Sequence, residues 1–386
     1  MTHPVPATMR AAVLADDRLE IARIRTPIPQ RGEALLEVIA CGVCHTDLHV
    51  MRGEVAFPRP AVLGHEVSGR VVALGDSGDS RSGDGSGLAV GDIVVAGFIM
   101  PCASCRECLR GRDDLCIEFF RRNRLGGTLY DGTSRLSMPD GSFLAMYSMG
   151  GLAEYCVAPL TALTALPEGP DHEASCLLGC SGLTSYGAVF RAGAVETGAT
   201  VAIVGVGGIG SSLITMARAA GAAEIIAVDI AAAKLTRAHE LGATATVDAS
   251  TEDPVERVRA LTGGVDVAFE ALGNPTTFAQ AVGMLADGGR MVAIGIAAGA
   301  STAAVPITPL VRRGQQIIGS FGGRTRTDLP AVAELAASGR FDPAALITRR
   351  YRLEEAAAAY DALARGEITG RAIITMGDAL VREEQR

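Results

Sequence analysis

The fold is decided by ten residues, VAIVGVGGIG at positions 201–210, and by the stretch that follows them. Four apolar residues form a short predicted strand that runs directly into glycines spaced as G-x-G-x-x-G. An alanine-rich helical stretch, Ile209–Ala220, comes next, and a second predicted strand, Glu224–Val228, leads into Asp229. This order of strand, glycine turn, helix and acidic residue is the fingerprint of a dinucleotide-binding unit.

The glycines and the aspartate of such a unit each have a physical role. Gly205 permits the tight turn, Gly207 admits the pyrophosphate to the helix N-terminus, and Gly210 allows close packing of helix on strand. Asp229 would accept hydrogen bonds from both adenosine ribose hydroxyls and repel a 2′-phosphate, which favours NAD over NADP. The alternative is a glycine-rich turn that binds no ligand. The residues predicted at the dinucleotide are Gly205, Gly207, Gly208, Ile209, Gly210 and Asp229.

The whole chain is long enough for two domains, since it has 386 residues. Strands and helices alternate after residue 200 as in a doubly wound parallel sheet, so 182–324 is assigned to a Rossmann-type domain of an α/β protein. Short β segments fill residues 9–97, and we assign 1–181 and 325–386 to one β-rich domain. The small, polar stretch Asp76–Gly87 is predicted as a surface loop without an assigned role.

Composition excludes several classes of protein. The formal net charge is −8 and tryptophan is absent, which argues against nucleic acid as a partner. No apolar run is long enough for a membrane-spanning helix or a secretion signal, so no membrane partner and a cytoplasmic location are expected. Hydrophobic residues make up 48% of the chain, which excludes a wholly disordered protein.

Four of the nine cysteines fall within fifteen residues, in the pattern Cys102-x2-Cys105-x2-Cys108-x7-Cys116. Four thiolates at this spacing can close a tetrahedron around zinc, which leaves no open position and indicates a structural role. An iron–sulfur cluster is the chemical alternative, and unpaired buried thiols are the other. The lobe that carries them is predicted at 98–120.

A third group of candidate functional residues is dispersed along the chain. It comprises CGVCHTDLH at 41–49, GHE at 64–66 and GC at 179–180. Sequence alone does not bring these stretches together. Taken singly, His65 would be a satisfied structural histidine and Cys180 a small buried hydrophobe.

Together these motifs resemble those of the zinc-containing medium-chain alcohol dehydrogenases. The resemblance is to the longer type, typified by the liver enzymes and the glutathione-dependent formaldehyde dehydrogenases, and it covers nearly the whole chain. It rests on CGVCHTD at 41–47, GHE at 64–66, the four-cysteine lobe, DGTSR at 131–135, GC at 179–180, VGVGGIG at 204–210 and GSFGG at 319–323.

The resemblance implies a GroES-like β-rich domain beside the Rossmann domain, with the active site in the cleft between them. It implies that Cys44, His65 and Cys180 ligate a catalytic zinc that keeps one open position. Glu66 corresponds to a neighbouring or transient ligand, and Asp47 would hold the other ring nitrogen of His65. Two zinc ions per chain are therefore expected, one catalytic and one structural.

The resemblance also implies a proton path and further contacts. Thr46 would take the proton of the bound alcohol and pass it, through the nicotinamide ribose, to His49 and solvent. Further residues implied at the cofactor are His45 and Arg371 near the pyrophosphate, Lys234 beside Asp229, and Ile296. Pocket positions implied in the same way are Val55, Phe98, Met146 and Ile296.

The predicted activity is reversible hydride transfer between a primary or secondary alcohol and NAD. A homodimer joined through the edges of the Rossmann sheets is expected, with a tetramer as the alternative. One rival is a formaldehyde dehydrogenase acting on a thiol adduct, for which Arg121 or Arg122 lies near the expected arginine but one residue out of register. The other rival is a non-catalytic member that binds zinc and dinucleotide only.

Overall fold

The computed structural model describes residues 4–75, 87–297 and 299–377. The chain divides into two compact units. The first comprises Met1–Leu183, Arg324–Gly339 and Ile347–Arg386, and the second comprises Thr184–Gly323 and Arg340–Leu346. The predicted loop at 76–87 lies outside the described residues except for its last glycine. Within the described ranges, every helix is too short or too polar to cross a membrane.

The strands and helices have the following bounds. The strands are β1 Thr8–Ala15, β2 Arg18–Arg25, β3 Glu33–Val43, β4 Ala61–Val62, β5 Val67–Leu74, β6 Ile93–Ala96, β7 Leu136–Ser137, β8 Phe143–Met146, β9 Tyr155–Pro159, β10 Leu163–Ala165, β11 Thr200–Val204, β12 Glu224–Asp229, β13 Ala245–Asp248, β14 Val265–Glu270, β15 Leu285–Ala293, β16 Gln316–Gly319, β17 Ile347–Arg352 and β18 Arg371–Thr375. The α-helices are α1 His45–Met51, α2 Arg106–Leu109, α3 Ser181–Tyr186, α4 Gly208–Ala220, α5 Ala232–Leu241, α6 Pro254–Thr262, α7 Pro275–Gly283, α8 Ile307–Arg312, α9 Thr325–Ala337 and α10 Ala356–Ala364. Two π-helical turns, Phe119–Arg124 and Gly187–Ala192, and several 3₁₀ turns complete the secondary structure.

The first unit is built on two sheets. Over the described residues, one sheet has the strand order β2-β1-β4-β8-β7, and the other has the order β10-β6-β5-β3-β18-β17 with β9 also paired to β3. The long strand β3 is the centre of the second sheet, because it pairs antiparallel with β5, β9 and β18. Nearly all residues of β3 are buried, as expected for a strand at the centre of a sheet.

This second sheet collects the residues of the dispersed motifs. Cys41 on β3 lies opposite Val67 on β5, so the chain immediately before β5 reaches the end of β3. On the other side Val43 lies opposite Ala372, which brings the start of β18 to the same end. Three sequence-distant segments therefore meet because of strand register, not because of sequence spacing.

The second unit is a parallel six-stranded sheet over the described residues, in the order β13-β12-β11-β14-β15-β16. Strand β11 is buried along most of its length and pairs in parallel with β12 and β14. Short apolar strands with helices between them produce this doubly wound arrangement, so the predicted α/β class is confirmed.

The glycine turn has the geometry that the motif demands. Gly205 has φ +91°, a left-handed backbone that side chains disfavour. A Cβ at Gly210 would lie 2.0 Å from the carbonyl oxygen of Gly205, whereas a Cβ at Gly207 would face open space. The turn is therefore tight on its inner side and accessible at Gly207, directly before α4.

The two units differ from the predicted domains by one or two residues at the boundaries 181/182 and 324/325, and more clearly near the C-terminus. All of 325–386 was predicted to belong to the first domain, but Arg340–Leu346 belongs to the second unit. Two arginines fasten this short segment there. Arg340 donates to the carbonyl of Ala219, and Arg237 donates to the carbonyl of Ala345.

A buried ion pair anchors the DGTSR motif to the central strand. Arg135 donates twice to Glu33, with nitrogen–oxygen distances of 2.6 and 2.9 Å, and it also contacts Asp131 at 3.0 Å. The side chains of Arg135 and Glu33 are only 5% and 9% exposed. Because Glu33 begins β3, this pair holds the loop before β7 against the sheet that carries the dispersed motifs.

We expect Arg135→Met to lower the free energy of unfolding by about 3–5 kcal/mol, because it leaves Glu33 buried without its cationic partner. Urea denaturation of the zinc-loaded protein measures the loss. Arg365→Met is the control, since Arg365 forms an exposed pair with Glu367 and its removal costs less than about 1 kcal/mol. Equal stability of the two variants would contradict the anchoring role.

Candidate active site and metal centres

The four-cysteine lobe forms one compact thiol cluster. The sulfurs of Cys102, Cys105, Cys108 and Cys116 all lie within 4.8 Å of one another. Backbone amides of Cys102 and Phe119 donate to the Cys116 sulfur at 3.3 and 3.4 Å, which favours thiolate. Zinc–sulfur bonds of about 2.3 Å place the sulfurs of a tetrahedral site at close to this separation. The cluster therefore fits a single closed zinc site.

An ion pair that the sequence analysis missed fastens this lobe. Arg326, at the start of α9, contacts both oxygens of Asp113 at 2.7 to 3.2 Å and donates to the carbonyl of Cys108 at 2.6 Å. Asp113 also accepts from the Arg326 amide at 2.9 Å. The two residues are more than 200 positions apart, so spacing gave no signal for the contact.

A second cluster joins the dispersed motifs. Ligand atoms of Cys44, His65, Glu66 and Cys180 lie within 4.8 Å of one another, and all four side chains are buried. Cys44 follows β3, the GHE motif precedes β5, and Cys180 follows a 3₁₀ turn. Gly179 permits that last approach, because a Cβ there would lie 2.0 Å from the carbonyl oxygen of Ala96 at the end of β6.

The His65 ring is held at one nitrogen and open at the other. Its Nδ1 lies 3.1 Å from Asp47 Oδ1, and Asp47 also accepts from the Gly64 amide at 3.2 Å and from the Tyr360 hydroxyl at 3.0 Å. His65 Nε2 is buried without a hydrogen-bond partner among the described residues. An unpartnered buried imidazole nitrogen between two thiols is a metal-ligand arrangement, and two cysteines with one histidine are a known catalytic zinc set.

The charges around His65 support the same interpretation. Burial alone would lower the pKa of His65, but the negative charges of Asp47 and Cys44 outweigh it and raise that pKa to about 10. Surroundings that stabilise positive charge on this ring would also stabilise a metal cation bound to it.

Glu66 lies beside the cluster and pairs with Arg371. Arg371 Nη2 donates to Glu66 Oε2, and both side chains are buried. Burial raises the pKa of Glu66 to about 7, against the positive charge of Arg371, which lowers it. Glu66 Oε1 has no hydrogen-bond partner among the described residues. A Cβ at Gly42 would lie 2.0 Å from Glu66 Oε2, so the glycine makes room for this carboxylate.

The pairing with Glu66 gives Arg371 a contact that the sequence analysis did not predict. The role of Arg371 at the pyrophosphate stays a prediction. In the structure, its guanidinium balances a carboxylate beside the metal cluster. The register of β18 against β3 explains the contact, because Ala372 lies opposite Val43 and Arg371 therefore lies close to Cys44.

The predicted proton-path residues lie around Cys44. Thr46 Oγ1 is 3.6 Å from the Cys44 sulfur and is partly buried. His49 and His45 are exposed on the same helix, α1, and His49 Nδ1 hydrogen-bonds to Glu54. Glu54 was not predicted. Its contact fixes one ring nitrogen of His49 and directs the other away from Glu54.

Aromatic rings flank His65. The Phe98 and Tyr147 rings lie 6.1 and 6.0 Å from the His65 ring in edge-to-face arrangements. Phe57 packs against Tyr147 at 4.9 Å. Of the predicted pocket residues, Phe98 and Met146 are buried, while Val55 is exposed. Tyr147 was missed, although it directly follows Met146.

The dinucleotide residues of the second unit are arranged around Asp229. Its carboxylate accepts backbone hydrogen bonds from Val206 and Ile230, both at 2.8 Å, and Lys234 Nζ lies 3.9 Å away. The carboxylate is thus fixed at the end of β12, next to the glycine turn. Ile296 is exposed in this unit, at 70%.

Comparisons with known proteins agree with this geometry. The model described as alcohol dehydrogenase GroES-like domain matches residues 30–168, and the model described as zinc-binding dehydrogenase matches 208–338. A probable S-(hydroxymethyl)glutathione dehydrogenase 1 of Schizosaccharomyces pombe is 35% identical over 371 residues, which cover 93% of this chain and 95% of that protein.

Solved structures give the same result for the fold. An alcohol dehydrogenase zinc-binding domain protein from Burkholderia ambifaria superposes with a TM-score of 0.89 at 33% identity, over 96% of this chain and 99% of that one. Benzyl alcohol dehydrogenase from Acinetobacter calcoaceticus gives a TM-score of 0.87 at 30% identity, with the same coverage of both chains.

Fold and clusters define a zinc-dependent oxidoreductase that uses a nicotinamide dinucleotide. More particularly, the chain belongs to the zinc-containing medium-chain alcohol dehydrogenase family, with a GroES-like domain and a Rossmann-like domain. The family prediction and the cofactors zinc and NAD are thereby confirmed. The individual ligand and contact residues remain predictions that the geometry described above supports.

Tyr360 is a further residue of the site for which the sequence held no signal. It is fully buried on α10, and its hydroxyl donates to Asp47 Oδ2 from 313 positions away. Asp47 in turn contacts His65, so Tyr360 would position this predicted metal ligand. Hydrogen bonds to the groups behind a metal ligand fix its orientation and tune its affinity.

We expect Tyr360→Phe to weaken zinc binding at the cluster of Cys44, His65 and Cys180 by roughly 10–100-fold. Chelator competition followed by metal analysis measures this. The zinc of the four-cysteine lobe is the internal control and should be unaffected. Tyr155→Phe is the matched control, because Tyr155 lies opposite Glu37 in the sheet. Equal loss of both zinc ions, or loss of neither, would contradict the positioning role.

Proposed function

We propose that this chain oxidises a free primary or secondary alcohol with NAD and catalyses the reverse reduction of the aldehyde or ketone. The observation that carries the proposal is the buried His65, whose Nδ1 is held by Asp47 and whose Nε2 is unpartnered among the described residues. A protein that used zinc only for structure would not need a second, buried cluster of this kind. The nearby Thr46 and His49 argue against a non-catalytic member.

Cys44, His65 and Cys180 would hold the catalytic zinc, and the four-cysteine lobe the structural one. Zinc at the first cluster would supply a Lewis acid that lowers the pKa of the alcohol hydroxyl, and NAD would supply the hydride acceptor. Three protein ligands leave a position open for the alcohol, whereas four thiolates leave none.

The charged residues behind the cluster hold the ligands in place. Asp47 fixes the His65 tautomer so that Nε2 faces the metal, and Tyr360 fixes Asp47. Glu66, balanced by Arg371, adds a buried carboxylate close to the ligands. These groups would set the net charge around the metal. That charge affects how far the metal lowers the pKa of a bound hydroxyl.

Thr46 and His49 would remove the proton of the alcohol. The Thr46 hydroxyl is close to the Cys44 sulfur and can accept the proton at Oγ1. His49 is exposed, and Glu54 holds its Nδ1, so its Nε2 can exchange protons with solvent. An imidazole is suited to this step because its charge changes near neutral pH.

The walls of the site favour an alcohol with an apolar body. Phe98 and Tyr147 are buried rings that flank His65 and keep water from the ligand. A similar structure is a benzyl alcohol dehydrogenase, and this supports a substrate that carries its hydroxyl on an apolar or aromatic body. For the cofactor, the buried Asp229 carboxylate favours NAD over NADP.

A thiol adduct of formaldehyde is the second candidate substrate, because the S. pombe relative is named as an S-(hydroxymethyl)glutathione dehydrogenase. The arginines near the expected adduct position are already paired here. Arg121 and Arg122 contact Glu118 at 2.9 and 3.5 Å. A substrate carboxylate would compete with Glu118 for them, which makes the free alcohol the better supported substrate.

We expect the zinc-loaded protein to form NADH from NAD with benzylic and linear alcohols, more slowly with NADP, and without any added thiol. Cys180→Ala should abolish turnover and lose one of the two zinc ions while it keeps the fold, since a ligand is removed. Cys156→Ala, a buried cysteine of β9, is the control and should keep turnover. Activity only with glutathione and formaldehyde would favour the adduct, and turnover by Cys180→Ala would remove Cys180 from the ligand set.

The outer edge of the parallel sheet supports a homodimer. Strand β16 ends the sheet, and none of the residues of α8 beside it is buried among the described part of the chain. Ile307, Val311 and Ile317 are exposed apolar residues there. An exposed sheet edge with an apolar flank is a surface that a second copy of the chain can cover symmetrically.

We expect the protein to sediment as a dimer and Val311→Lys to shift it towards the monomer, because a charge would be buried in the contact. Sedimentation velocity at several concentrations measures the shift. Leu109→Lys is the control, since Leu109 is as exposed as Val311, at 74% against 73%, but lies in the metal lobe. A wild-type protein that sediments as a monomer would contradict the dimer.

A further inference from the structure

One buried asparagine holds the chain on both sides of Tyr147. Asn123 lies in the π-helical turn that follows the metal lobe and is fully buried. Its side-chain nitrogen lies 3.3 Å from the carbonyl oxygen of Met146 and 3.0 Å from that of Ser148, and its side-chain oxygen accepts from the Ser148 amide at 2.9 Å. The same nitrogen lies 3.3 Å from the carbonyl oxygen of Thr128. Both the donor and the acceptor side of the carboxamide are therefore committed to backbone groups.

A further hydrogen bond extends this hold to Phe98. The buried Ser148 hydroxyl donates to the Phe98 carbonyl at 3.0 Å. The Phe98 amide donates to the carbonyl of Gly179 at 2.9 Å, directly before the predicted ligand Cys180. Phe98 is thus tied to Asn123 through Ser148, and to the chain that carries a predicted metal ligand through Gly179.

Ser148 adopts a backbone conformation that its residue type disfavours. Its φ is +52°, in the left-handed region that favours glycine. A residue keeps such a conformation only where the surrounding contacts hold it, and these positions cluster at functional sites. Glycine would relieve the strain but would lack the hydroxyl that reaches Phe98. The strained serine therefore indicates that the hydrogen bond to Phe98 is needed at this position.

The two residues that this network holds are the rings that flank His65. Phe98 and Tyr147 lie 6.1 and 6.0 Å from the His65 ring, edge to face, and they are only 4% and 2% exposed. Because the backbone fixes where each side chain starts, the hydrogen bonds of Asn123 set where the two rings can lie relative to the metal cluster.

We propose that Asn123 is a positioning residue for this aromatic wall, and that the wall it holds makes the enzyme prefer alcohols with a planar, aromatic body over short aliphatic ones. The inference rests on the proposed function of the same site. Rings held at fixed positions present a surface formed in advance, on which a planar body packs with little loss of side-chain freedom. A wall free to move would accept apolar bodies of many shapes without this preference.

The kinetic experiment compares benzyl alcohol with ethanol in the zinc-loaded enzyme at saturating NAD. We expect the wild type to prefer benzyl alcohol, and Asn123→Ala to lower the ratio of the two kcat/KM values by about 10-fold. The loss should come mainly from a higher KM for benzyl alcohol, since a displaced wall weakens binding of the body and leaves the hydroxyl chemistry in place. Metal analysis should find the same zinc content in both proteins.

Ser148→Gly keeps the inference testable if Asn123→Ala does not fold. Glycine adopts the left-handed backbone without strain and keeps the backbone bonds to Asn123, so this change removes only the hydroxyl that holds Phe98. The ratio should fall by about threefold. Thr161→Val is the matched control, because it removes a hydroxyl that donates to the Pro101 carbonyl at 2.6 Å, on the chain that follows Phe98. It should leave the ratio unchanged.

A spectroscopic readout tests the positioning without turnover. The chain has six tyrosines, so labelling with 3-fluorotyrosine gives few fluorine NMR signals, and Tyr147→Phe identifies that of Tyr147. We expect this signal to shift in Asn123→Ala and to stay in place in Thr161→Val. The Tyr155 signal, assigned in the same way, should be unaffected in both variants.

The outcomes separate this inference from the proposed function. An unchanged ratio in Asn123→Ala, or an unchanged Tyr147 signal, would overturn the positioning role, and an equal fall of the ratio in Thr161→Val would overturn it as well. A wild type that prefers ethanol would overturn the assigned preference. Failure of the wild type to oxidise either alcohol would overturn the proposed function, whereas a shifted Tyr147 signal would still support the hold of Asn123 on the ring.

Discussion

The site depends on one constraint, the hydrogen bond between Asp47 and His65 Nδ1 in a fully buried place. A buried imidazole that donates from Nδ1 must find another partner for Nε2, and the described residues supply none except thiols at metal-binding distance. The bond therefore fixes which nitrogen faces the cluster. The register of β3 against β5 brings the segments of this bond together, because a slip by one residue would turn every side chain of β3 to the opposite face of the sheet.

Buried charge is a second feature that shapes the site in the first unit. Asp47 and Glu66 are buried carboxylates beside the thiols of the cluster. Arg371 pairs with Glu66, and a cation at the cluster would offset the negative charge of the other groups. Burial raises the pKa of Glu66, so a proton can relieve the same imbalance when the metal is absent. A metal bound here would contribute to this charge balance, which would couple its binding to the stability of the site.

The sequence allowed the local parts of the structure to be predicted and left the long-range contacts undetermined. The glycine turn and the four-cysteine lobe are contiguous, so their residue types and spacing indicate the structure directly. Tyr360 with Asp47, Arg371 with Glu66 and Arg326 with Asp113 are contacts across 200 to more than 300 positions. Only the pairing of strands and helices brings them together, and neither hydrophobic period nor motif spacing encodes that. The assignment of Arg340–Leu346 differed for the same reason, since arginine contacts to backbone carbonyls hold it.

Chemistry and substrate choice are carried by different parts of the first unit. The predicted ligands Cys44 and His65 lie beside strand ends of the central sheet, where pairing on both sides of β3 makes their positions rigid. The aromatic rings that flank His65 lie outside the strands, because Phe98 follows β6 and Tyr147 follows β8. Loop positions accept substitution more readily than strand positions do. A change at Phe98 or Tyr147 would therefore alter the wall of the site while the strands keep the metal cluster in place.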